Sequence, residues 1–599
     1  MCGIIGYIGN KKVVPILING LKSMEYRGYD SSGMCVKNNE TLKAVKRKGK
    51  VSELAESKEL FELDGFSGIA HTRWATHGEP NEINSHPHFD CSKSVAIVHN
   101  GIIENYASLR EVLKNEGHKF ISQTDSEVIA HLIEKFYKKE LIEAVIKALE
   151  LVEGTFGLLV INQLENKIIA AKRGSPLILG VGENEMFAAS DVAALIKHTN
   201  KIVYLKDNEI AELSGESYII KNFLGIPVEN EVHEVQLKAE QIEKGEHKHF
   251  MLKEIFEQPE AIRNALRGRL NNSLVKISTS IDLSILRRVV IVGCGTSWHS
   301  ALIGKYLIEN IAGIPTEVDY ASEFRYRNPI ICQGDLVIVI SQSGETADAL
   351  AALKEAKLRG AQTFGIVNVV GSSIAREVDS GMFLHAGLEI GVASTKAFTS
   401  QIVNILLFAL YLRQKTKPAS PMSILGELES LPEKVKLTLE LNEKIKKIAE
   451  KFKDSENFIY LGRGLNFPVA LEGALKLKEI SYVHAEGYPA AEMKHGPIAL
   501  VDENLPVIFI APRDSTYEKI VSNMQEVKAR KGKIIAIVSK DDENIRNIVD
   551  EIIVVPETSE ELMPILNTIV LQLFAYHIAN LKNFDVDKPR NLAKSVTVE

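Results

Sequence analysis

The second half of the chain carries the same strand–loop–helix pattern twice, and this repeat constrains the fold more than any other feature. Residues 288–293, which are apolar after Arg288, run into a Gly-Cys-Gly loop and a helix, and residues 458–462 run into a Gly-Arg-Gly loop. Residues 335–340 and 507–511 are the corresponding second strands. Strands that are apolar throughout are typical of parallel sheets covered on both faces. Because these strands alternate with helices, we predict two related, doubly wound α/β units.

The loops after the second strands differ between the two copies. Residues 341–346 read Ser-Gln-Ser-Gly-Glu-Thr, whereas residues 512–516 read Pro-Arg-Asp-Ser-Thr. N–H groups at a helix N-terminus attract anions, so the first loop predicts a phosphate monoester site, with simple helix capping as the alternative. Neither a Walker A motif nor a dinucleotide fingerprint is present, which disfavours a nucleotide. Thr296 and Ser297 follow the neighbouring strand, where α/β sheets bind their ligands.

The first part of the chain has a different organisation. Short strand-like runs with few helices between them predict an α+β domain with stacked sheets. A polar, helix-prone stretch from about residue 232 to 258 then predicts a linker followed by an entry helix. The expected domains are residues 1–220, a linker and entry helix at 221–280, α/β units at 281–425 and 426–585, and a C-terminal tail at 586–599.

Cys2 directly follows the initiator methionine. Methionine is normally trimmed before a small residue, which would leave a thiol and an α-amine on the same residue. An α-amine titrates near ~7.7–8, so it can act as the base for its own thiol. The alternative is that Cys2 is a small apolar residue that opens a buried strand.

Four other residues of the first part form a constellation with Cys2. Arg73 can bind a carboxylate through two hydrogen bonds, and Asp125 can hold an ammonium group, so together they suit an α-amino acid. Asn100 and Gly101 follow a strand and are suitable oxyanion donors. Each has an ordinary alternative, because Asn-Gly is a common turn and the charges can be surface charges.

Composition narrows the class of protein. The 599 residues are 45% apolar and 25% charged with a net charge of -7, so bulk attraction to nucleic acid or anionic membranes is not expected. Five cysteines without a CxxC pair indicate a reducing cytosol rather than a disulfide or zinc framework. The N-terminus lacks a basic region followed by an apolar core, so no signal peptide is expected, and the longest apolar stretch, residues 402–412, predicts a buried helix. The pairs His86/His88 and His247/His249 lack a third ligand with convincing spacing, so no metal is expected. No cofactor is expected either.

The motifs together resemble known families. Cys2-Gly-Ile, residues 71–78, His99-Asn100-Gly101 and Thr124-Asp125 resemble a class II glutamine amidotransferase domain, an N-terminal-nucleophile hydrolase. The two α/β units resemble tandem sugar-isomerase (SIS) domains. The combination, including the C-terminal tail, resembles the family of isomerizing glutamine–fructose-6-phosphate aminotransferases, in its bacterial type without an insertion.

This resemblance implies a cytoplasmic homodimer that uses L-glutamine and D-fructose 6-phosphate, with ammonia passing between two sites. It implies catalytic roles for Cys2, Asn100, Gly101, Glu479, His495 and Lys594. It implies glutamine binding by Arg73, Thr76, His77 and Asp125, and a channel gate at Trp74. It implies sugar-phosphate binding by Thr296, Ser297, Ser341, Gln342, Ser343, Thr346, Val392, Ser394 and Lys476.

The residue chemistry agrees with these implied roles. A Schiff base between Lys594 and the sugar carbonyl would acidify the C1 hydrogens, so that Glu479 could move a proton between C1 and C2. Glu479 and Lys476 are three residues apart on one helix face, although a surface ion pair is the usual reading of that spacing. His495 would open the sugar ring from the neighbouring subunit.

Two other functions compete with this reading. A phosphoribosyl-pyrophosphate amidotransferase or an asparagine synthetase shares the glutaminase domain, but would need a pyrophosphate-binding or ATP-cleaving second domain. A sugar-phosphate sensor would have SIS domains that only bind ligand, and it would lack the reactive residues that this sequence contains.

Overall fold

The computed structural model of the chain describes residues 2–39, 41–235, 243–271, 274–416, 424–541 and 543–597. The chain divides into two compact units. The first comprises Met1–Glu243, Glu345–Ala347 and Ala593–Glu599, and the second comprises Lys244–Gly344 and Asp348–Leu592. Residues 236–242 of the predicted linker and the last two residues of the tail lie outside the described residues.

The first unit consists mainly of short strands. Its strands are β1 (Gly3–Ile8), β2 (Ser31–Asn38), β3 (Thr41–Lys48), β4 (Ser67–Arg73), β5 (His88–Phe89), β6 (Val95–Ile103), β7 (Gly154–Asn162), β8 (Ile168–Arg173), β9 (Ile178–Val181), β10 (Met186–Ala189), β11 (Lys201–Tyr204), β12 (Glu209–Leu213), β13 (Tyr218–Asn222) and β14 (Val232–Glu234). Its helices are α1 (Val13–Ser23), α2 (Val51–Ala55), α3 (Tyr106–Asn115), α4 (Glu127–Phe136) and α5 (Leu141–Glu150).

These strands form two antiparallel sheets that pack face to face. One has the order β14-β11-β9-β10-β1-β4-β2-β3, and the other β13-β12-β8-β7-β6-β5. Side chains of β1 alternate between two cores: Ile4 and Ile8 lie between the sheets, whereas Ile5 and Tyr7 face the layer that contains α1. Apolar residues of α4 and α5 cover the outer face of the second sheet. The predicted α+β fold with stacked antiparallel sheets is confirmed.

The sheets of the first unit continue past residue 220, where the domain was expected to end. β13 spans that position, and β14 pairs with β11 with Val203 opposite Val232. Residues 232–234 are therefore strand rather than part of the predicted helix-prone stretch. Sequence pattern missed β14 because an exposed edge strand is held by backbone pairing and needs no apolar alternation.

The second unit alternates strands with helices. Its strands are β15 (Leu270–Asn271), β16 (Leu274–Val275), β17 (Arg288–Gly293), β18 (Thr316–Tyr320), β19 (Asp335–Ser341), β20 (Gln362–Val367), β21 (Ser380–Phe383), β22 (Asn457–Gly462), β23 (His484–Pro489), β24 (Pro506–Ile510), β25 (Lys533–Val538) and β26 (Glu551–Val554). Its helices are α6 (Phe250–Phe256), α7 (Gln258–Leu266), α8 (Thr296–Ala312), α9 (Ala321–Phe324), α10 (Ala347–Leu358), α11 (Ser373–Glu377), α12 (Lys396–Thr416), α13 (Ile424–Leu439), α14 (Asn442–Phe452), α15 (Asn466–Ser481), α16 (Tyr517–Lys528), α17 (Glu543–Arg546) and α18 (Met563–Leu581).

Two parallel five-stranded sheets with the same topology organise this unit. Their strand orders are β18-β17-β19-β20-β21 and β23-β22-β24-β25-β26. The predicted tandem pair of doubly wound units is thereby confirmed. In each sheet the chain first adds a strand on one side of the first strand and then crosses to its other side. The strand order therefore reverses between β17 and β19 in one sheet and between β22 and β24 in the other. The carboxyl ends of such strands form the crevice in which α/β sheets bind ligands.

Two long apolar helices lie in the core of the second unit. Residues 402–412 belong to α12 and are buried, as predicted. The sequence interpretation overlooked α18, which is long and apolar enough to cross a membrane by length and composition alone. Because 89% of its most apolar window is buried inside the protein, its surroundings are those of a core helix.

Candidate active sites

The Cys2 thiol lies against the backbone of the neighbouring strand β4. Trp74 N–H, just beyond the end of β4, donates to Cys2 Sγ at 3.3 Å, and Sγ approaches the Trp74 carbonyl at 3.5 Å. Burial raises the pKa of the Cys2 thiol, while the Trp74 N–H and the Arg73 guanidinium act in the opposite direction. The thiol is therefore protonated at neutral pH, and its use as a nucleophile requires a base.

Asn100 is held next to Cys2 by a buried histidine. Its side-chain N–H donates to the Cys2 carbonyl at 3.0 Å, and its side-chain oxygen lies 3.1 Å from His71 Nε2. The same nitrogen lies 3.1 Å from the His99 carbonyl. Because both partners are acceptors, His71 must carry its proton on Nε2, which fixes the orientation of the Asn100 amide.

Gly101 follows Asn100 in a backbone conformation that suits only glycine. Its φ is 137°, and an added Cβ would lie 2.0 Å from the Thr155 carbonyl oxygen. A side chain here would clash with the paired strand β7, so the backbone next to Asn100, in the wall of the cavity that contains Cys2, requires glycine.

Arg73 and Asp125 line the same cavity as Cys2. This cavity is lined by Cys2, Arg73, Trp74, Thr76, His86, His99, Asn100, Gly101, Thr124, Asp125 and Ser126. The buried Arg73 guanidinium donates to the carbonyls of residues 77–79. Asp125 accepts from Ile103 N–H at 2.8 Å, and its other oxygen lies 4.0 Å from His77 Nδ1. A buried cation and a buried carboxylate thus face one cavity, as an α-amino acid requires.

Thr76 and His77 occupy the rim of this site. Thr76 is exposed and His77 is half-buried, and the Thr76 hydroxyl lies 3.3 Å from His77 Nδ1. The structure therefore brings every predicted glutamine-side residue to one region of the first unit.

A cluster of buried histidines supports the site, and the sequence interpretation missed it. His71 stacks on His86 with ring centroids 4.1 Å apart, and His86 contacts His88 edge-on at 4.4 Å. Burial lowers the pKa of His71 to about 3 and lowers that of His86 and His88 well below the ordinary value. These rings are neutral, and they act as hydrogen-bonding and packing groups. His86 and His88 had been considered only as possible metal ligands.

The second unit has its own polar site at the carboxyl end of β17. Thr296, the first residue of α8, donates to Glu472 Oε1 at 3.1 Å and accepts from Lys476 Nζ at 3.0 Å. Ser297 is buried, and its hydroxyl accepts from Gln401 at 3.0 Å. Glu472 also lies 2.7 Å from His299 Nδ1. Glu472, His299 and Gln401 were not predicted, although Glu472 lies one helical turn before Lys476.

Lys476 is the buried centre of an ion-pair network on α15. It is 0% exposed and lies 3.3 Å from Glu472 and 2.6 Å from Glu479. Burial alone would lower the pKa of Lys476, but the two carboxylates raise it above its ordinary value. The interpretation as a surface ion pair is therefore wrong, because the lysine is a fully buried cation.

Replacing Lys476 with methionine is expected to destabilise the second unit by about 3–5 kcal/mol, because removing one partner of a buried ion pair leaves the other charge uncompensated. Native-state hydrogen exchange of α15 measures the change. Lys478→Met on the same helix is the matched control, since Lys478 is exposed, and it should change the opening free energy by less than about 0.5 kcal/mol. Equal effects of the two substitutions would show that the network contributes nothing to stability.

The 341–346 loop follows the end of β19, beside β17. Ser341 is buried and accepts from Gly344 N–H at 3.0 Å, while Gln342 and Ser343 are half-buried. Gly344 has φ of 66°, and an added Cβ would lie 2.0 Å from the Ser372 hydroxyl, so this turn requires glycine. Thr346 is half-buried and is grouped with the first unit.

The segment around Val392 is joined to the C-terminal tail. Val392 N–H donates to the Asp587 carbonyl at 3.1 Å, and Arg590 N–H donates to the Tyr482 hydroxyl at 2.9 Å, just after α15. Ser394 donates to Glu389 at 3.1 Å. The tail up to Leu592 is therefore anchored on the second unit, whereas Lys594, which is half-buried, is grouped with the first. His495 ends a short helical turn and is exposed in this chain.

Comparisons with known proteins agree with this two-part construction. Residues 71–197 match the family described as a glutamine amidotransferase domain, and residues 283–411 and 451–582 match the SIS domain. A curated relative from Chlorobaculum tepidum, named glutamine–fructose-6-phosphate aminotransferase [isomerizing], is 54% identical over 616 residues and covers 100% of both chains. A relative of the same name from Aquifex aeolicus is 51% identical with the same coverage.

A solved structure is similar to part of the chain. The C-terminal domain of glucosamine-fructose-6-phosphate aminotransferase from Francisella tularensis is 42% identical, with a TM-score of 0.55. The match covers 58% of this chain and 100% of that one.

Proposed function

Because the chain belongs to the family of isomerizing glutamine–fructose-6-phosphate aminotransferases, we propose that it converts L-glutamine and D-fructose 6-phosphate to L-glutamate and D-glucosamine 6-phosphate. The observation that carries this proposal is that one chain matches these relatives over its full length and contains both halves of the chemistry. The first unit has the Cys2 centre, and the second has the buried Lys476 network beside the predicted phosphate loop. The reaction is a step of amino-sugar biosynthesis.

Cys2 attacks the side-chain amide carbon of glutamine. The thiol proton passes to the α-amine of Cys2 once methionine has been removed, the Sγ–C bond forms, and the amide C–N bond breaks. The α-amine returns the proton to the departing nitrogen, which leaves as ammonia, and water hydrolyses the thioester to glutamate. The raised pKa of the thiol supports the need for this base.

Asn100 and Gly101 stabilise the oxyanion of the tetrahedral intermediate. The orientation of the Asn100 amide by His71 supports this role, because its N–H group points toward Cys2 rather than toward the histidine. Preorganised donors of this kind contribute about 2.7–4 kcal/mol each to lowering the barrier.

Arg73 binds the α-carboxylate of glutamine and Asp125 binds its α-ammonium group, with Thr76 and His77 completing the rim. The shared cavity of Arg73 and Asp125 with Cys2 supports this assignment. Trp74 gates the transfer of ammonia. The Trp74 backbone contacts Cys2 Sγ, and this supports the role as a gate, because a reaction at the thiol would alter these contacts.

The second half of the reaction uses the sugar phosphate. The phosphate is bound by the loop that carries Ser341, Gln342, Ser343 and Thr346. The sugar is bound by Thr296, Ser297, Val392 and Ser394, with Lys476 as a supporting cation. The reversal point of the sheet between β17 and β19 supports this location.

Lys594 forms a Schiff base with the ketose carbonyl, with loss of water. Ammonia then adds to C2 of this imine and Lys594 leaves as its free amine, so that the new nitrogen remains double-bonded to C2. This imine acidifies the C1 hydrogens, and Glu479 removes one and returns it at C2, which leaves an amino group at C2 and an aldehyde at C1. Glu479 is suited to this task because its side chain is only 20% exposed and is held in place by the Lys476 ammonium at 2.6 Å.

Further proposals concern assembly and location. We assign the glutaminase function to the first domain, predicted at residues 1–220, whose sheet continues to β14. We assign the two SIS domains to residues 281–425 and 426–585, followed by the tail at 586–599. His495 opens the sugar ring from a neighbouring copy, so the enzyme acts as a homodimer; its exposure in the single chain supports this role. The five free cysteines support a cytoplasmic location.

The direct test is a label-transfer assay on the purified full-length protein. With glutamine labelled by ¹⁵N at the amide and unlabelled fructose 6-phosphate, we expect ¹⁵N-labelled glucosamine 6-phosphate and glutamate in equal amounts, measured by mass spectrometry. Unlabelled ammonium in the buffer is the control, because channelled nitrogen should not be diluted by it. Glutamate without amino sugar would indicate another amidotransferase, and no turnover would indicate a sugar-phosphate sensor.

A further inference from the structure

Four side chains with metal-binding atoms meet in the first unit, away from Cys2. They are Cys91, in the turn after β5, His118, in the loop after α3, and His131 and Glu134 on α4. One ligand atom from each lies within 4.8 Å of the others. His131 is buried, His118 and Glu134 are half-buried, and Cys91 is exposed, so an ion has access from solvent.

The distances between these atoms match the edges of a zinc tetrahedron. Zinc–sulfur and zinc–nitrogen bonds of about 2.3 and 2.05 Å at tetrahedral angles separate the ligand atoms by roughly 3.3–3.6 Å. Cys91 Sγ lies 3.5 Å from His131 Nδ1 and 3.7 Å from His118 Nδ1, and Glu134 Oε2 lies 3.4 Å from His131 Nδ1. The distance from Glu134 to His118 is 2.9 Å and must lengthen by about half an ångström.

We propose that Cys91, His118, His131 and Glu134 form a tetrahedral Zn²⁺ site. Thiolate, two imidazoles and a carboxylate are zinc ligands, and the charges of thiolate and carboxylate balance the two charges of the ion. Binding displaces the thiol proton to solvent. Four protein ligands close the coordination sphere, so the ion is structural and takes no part in glutamine chemistry.

The surroundings of the ligands suit a bound ion. Lys119 N–H points at Cys91 Sγ at 3.4 Å, and Cys91 N–H donates to Glu134 at 3.3 Å, which stabilises both negative ligands. His131 binds through Nδ1, and its Nε2 lies 3.7 Å from Glu127 Oε1. At this distance the carboxylate is not hydrogen-bonded to the ring, and a shortening of about half an ångström would give the carboxylate–histidine pair that usually lies behind a zinc-ligating histidine.

The site joins the turn after β5 to two segments that lie next to the glutamine cavity. α4 begins directly after Asp125 and Ser126, and the loop from His118 leads into the same residues. Glu127, behind His131, accepts hydrogen bonds from the N–H groups of Ile121 and Ser122 in that loop. The ion therefore tethers the loop and the start of α4, which hold Asp125.

The first experiment measures metal content. Full-length protein purified without chelator should contain about one zinc ion per chain, measured by inductively coupled plasma mass spectrometry. Cys91→Ser and His118→Ala should lose it. Cys332→Ser and His233→Ala are matched controls, because both residues are exposed and lie outside the cluster, and they should keep it. The proposal would be overturned if the wild-type protein held no zinc after dialysis against Zn²⁺. It would also be overturned if Cys91→Ser held as much zinc as the wild type.

The second experiment reports coordination directly. Metal-free protein titrated with Co²⁺ should show a thiolate-to-cobalt band in the near ultraviolet and strong visible bands of a tetrahedral ion. Cys91→Ser should lose the near-ultraviolet band. Glu134→Gln keeps the side-chain shape if other variants fold poorly, and it should weaken Zn²⁺ affinity at least about tenfold. Six-coordinate cobalt spectra, or unchanged affinity in Glu134→Gln, would contradict the assignment.

Discussion

Cys2→Ala is expected to abolish glutamine hydrolysis, with a fall in rate of at least about a thousandfold, and to leave isomerisation of the sugar phosphate intact. The substitution removes the only group that forms the bond to the amide carbon, and residual oxyanion and binding interactions cannot replace a nucleophile. Alanine keeps the Cβ and loses only the sulfur that contacts the Trp74 backbone, so the first unit should keep its fold. Glutamate release and conversion of fructose 6-phosphate to glucose 6-phosphate are measured on the same preparation.

Cys332→Ala is the matched control, because this cysteine is exposed in the second unit and should affect neither activity. If both activities survive in Cys2→Ala, the nucleophile is another residue. Mass spectrometry of active wild-type protein provides an independent check. The proposed base exists only after the initiator methionine is removed, so active enzyme that retains it would contradict the mechanism.

Lys594→Ala should stop amino-sugar formation and leave glutamine hydrolysis partly intact. Without the amine no imine forms, the C1 hydrogens are not acidified, and Glu479 has no proton to move. Borohydride reduction in the presence of fructose 6-phosphate should attach the sugar covalently to wild-type protein, because it converts the imine to a stable amine. Peptide mass spectrometry should locate the attachment at Lys594.

Lys588→Ala tests the same tail without removing the proposed amine. It should retain covalent trapping, whereas Lys594→Ala should show none. Product formation that persists in Lys594→Ala, or attachment of the sugar to another lysine, would remove the Schiff-base role from this residue. Because Cys2→Ala and Lys594→Ala remove opposite halves of the reaction, a mixture of the two variants also shows whether ammonia released into solution can substitute for internal transfer.

Much of the fold could be predicted because its signals are local. The runs at 3–8 and 288–293 coincide with β1 and β17, and the repeated glycine loops correctly indicated two sheets of the same topology. An edge strand such as β14 escaped prediction, since its pairing with β11 leaves no periodic apolar pattern.

The sequence by itself determined the class of each unit and the family, because apolar periodicity and short motifs are encoded within a few consecutive residues; the reactive side chains that it indicated stay a prediction. Only the tertiary structure decided which distant groups act on one another. His71 orients Asn100, Glu472 joins Thr296 to Lys476, and Cys91 meets the histidines of two later segments. These contacts are made by residues far apart in the chain, and their distances follow from how sheets and helices pack rather than from any local spacing.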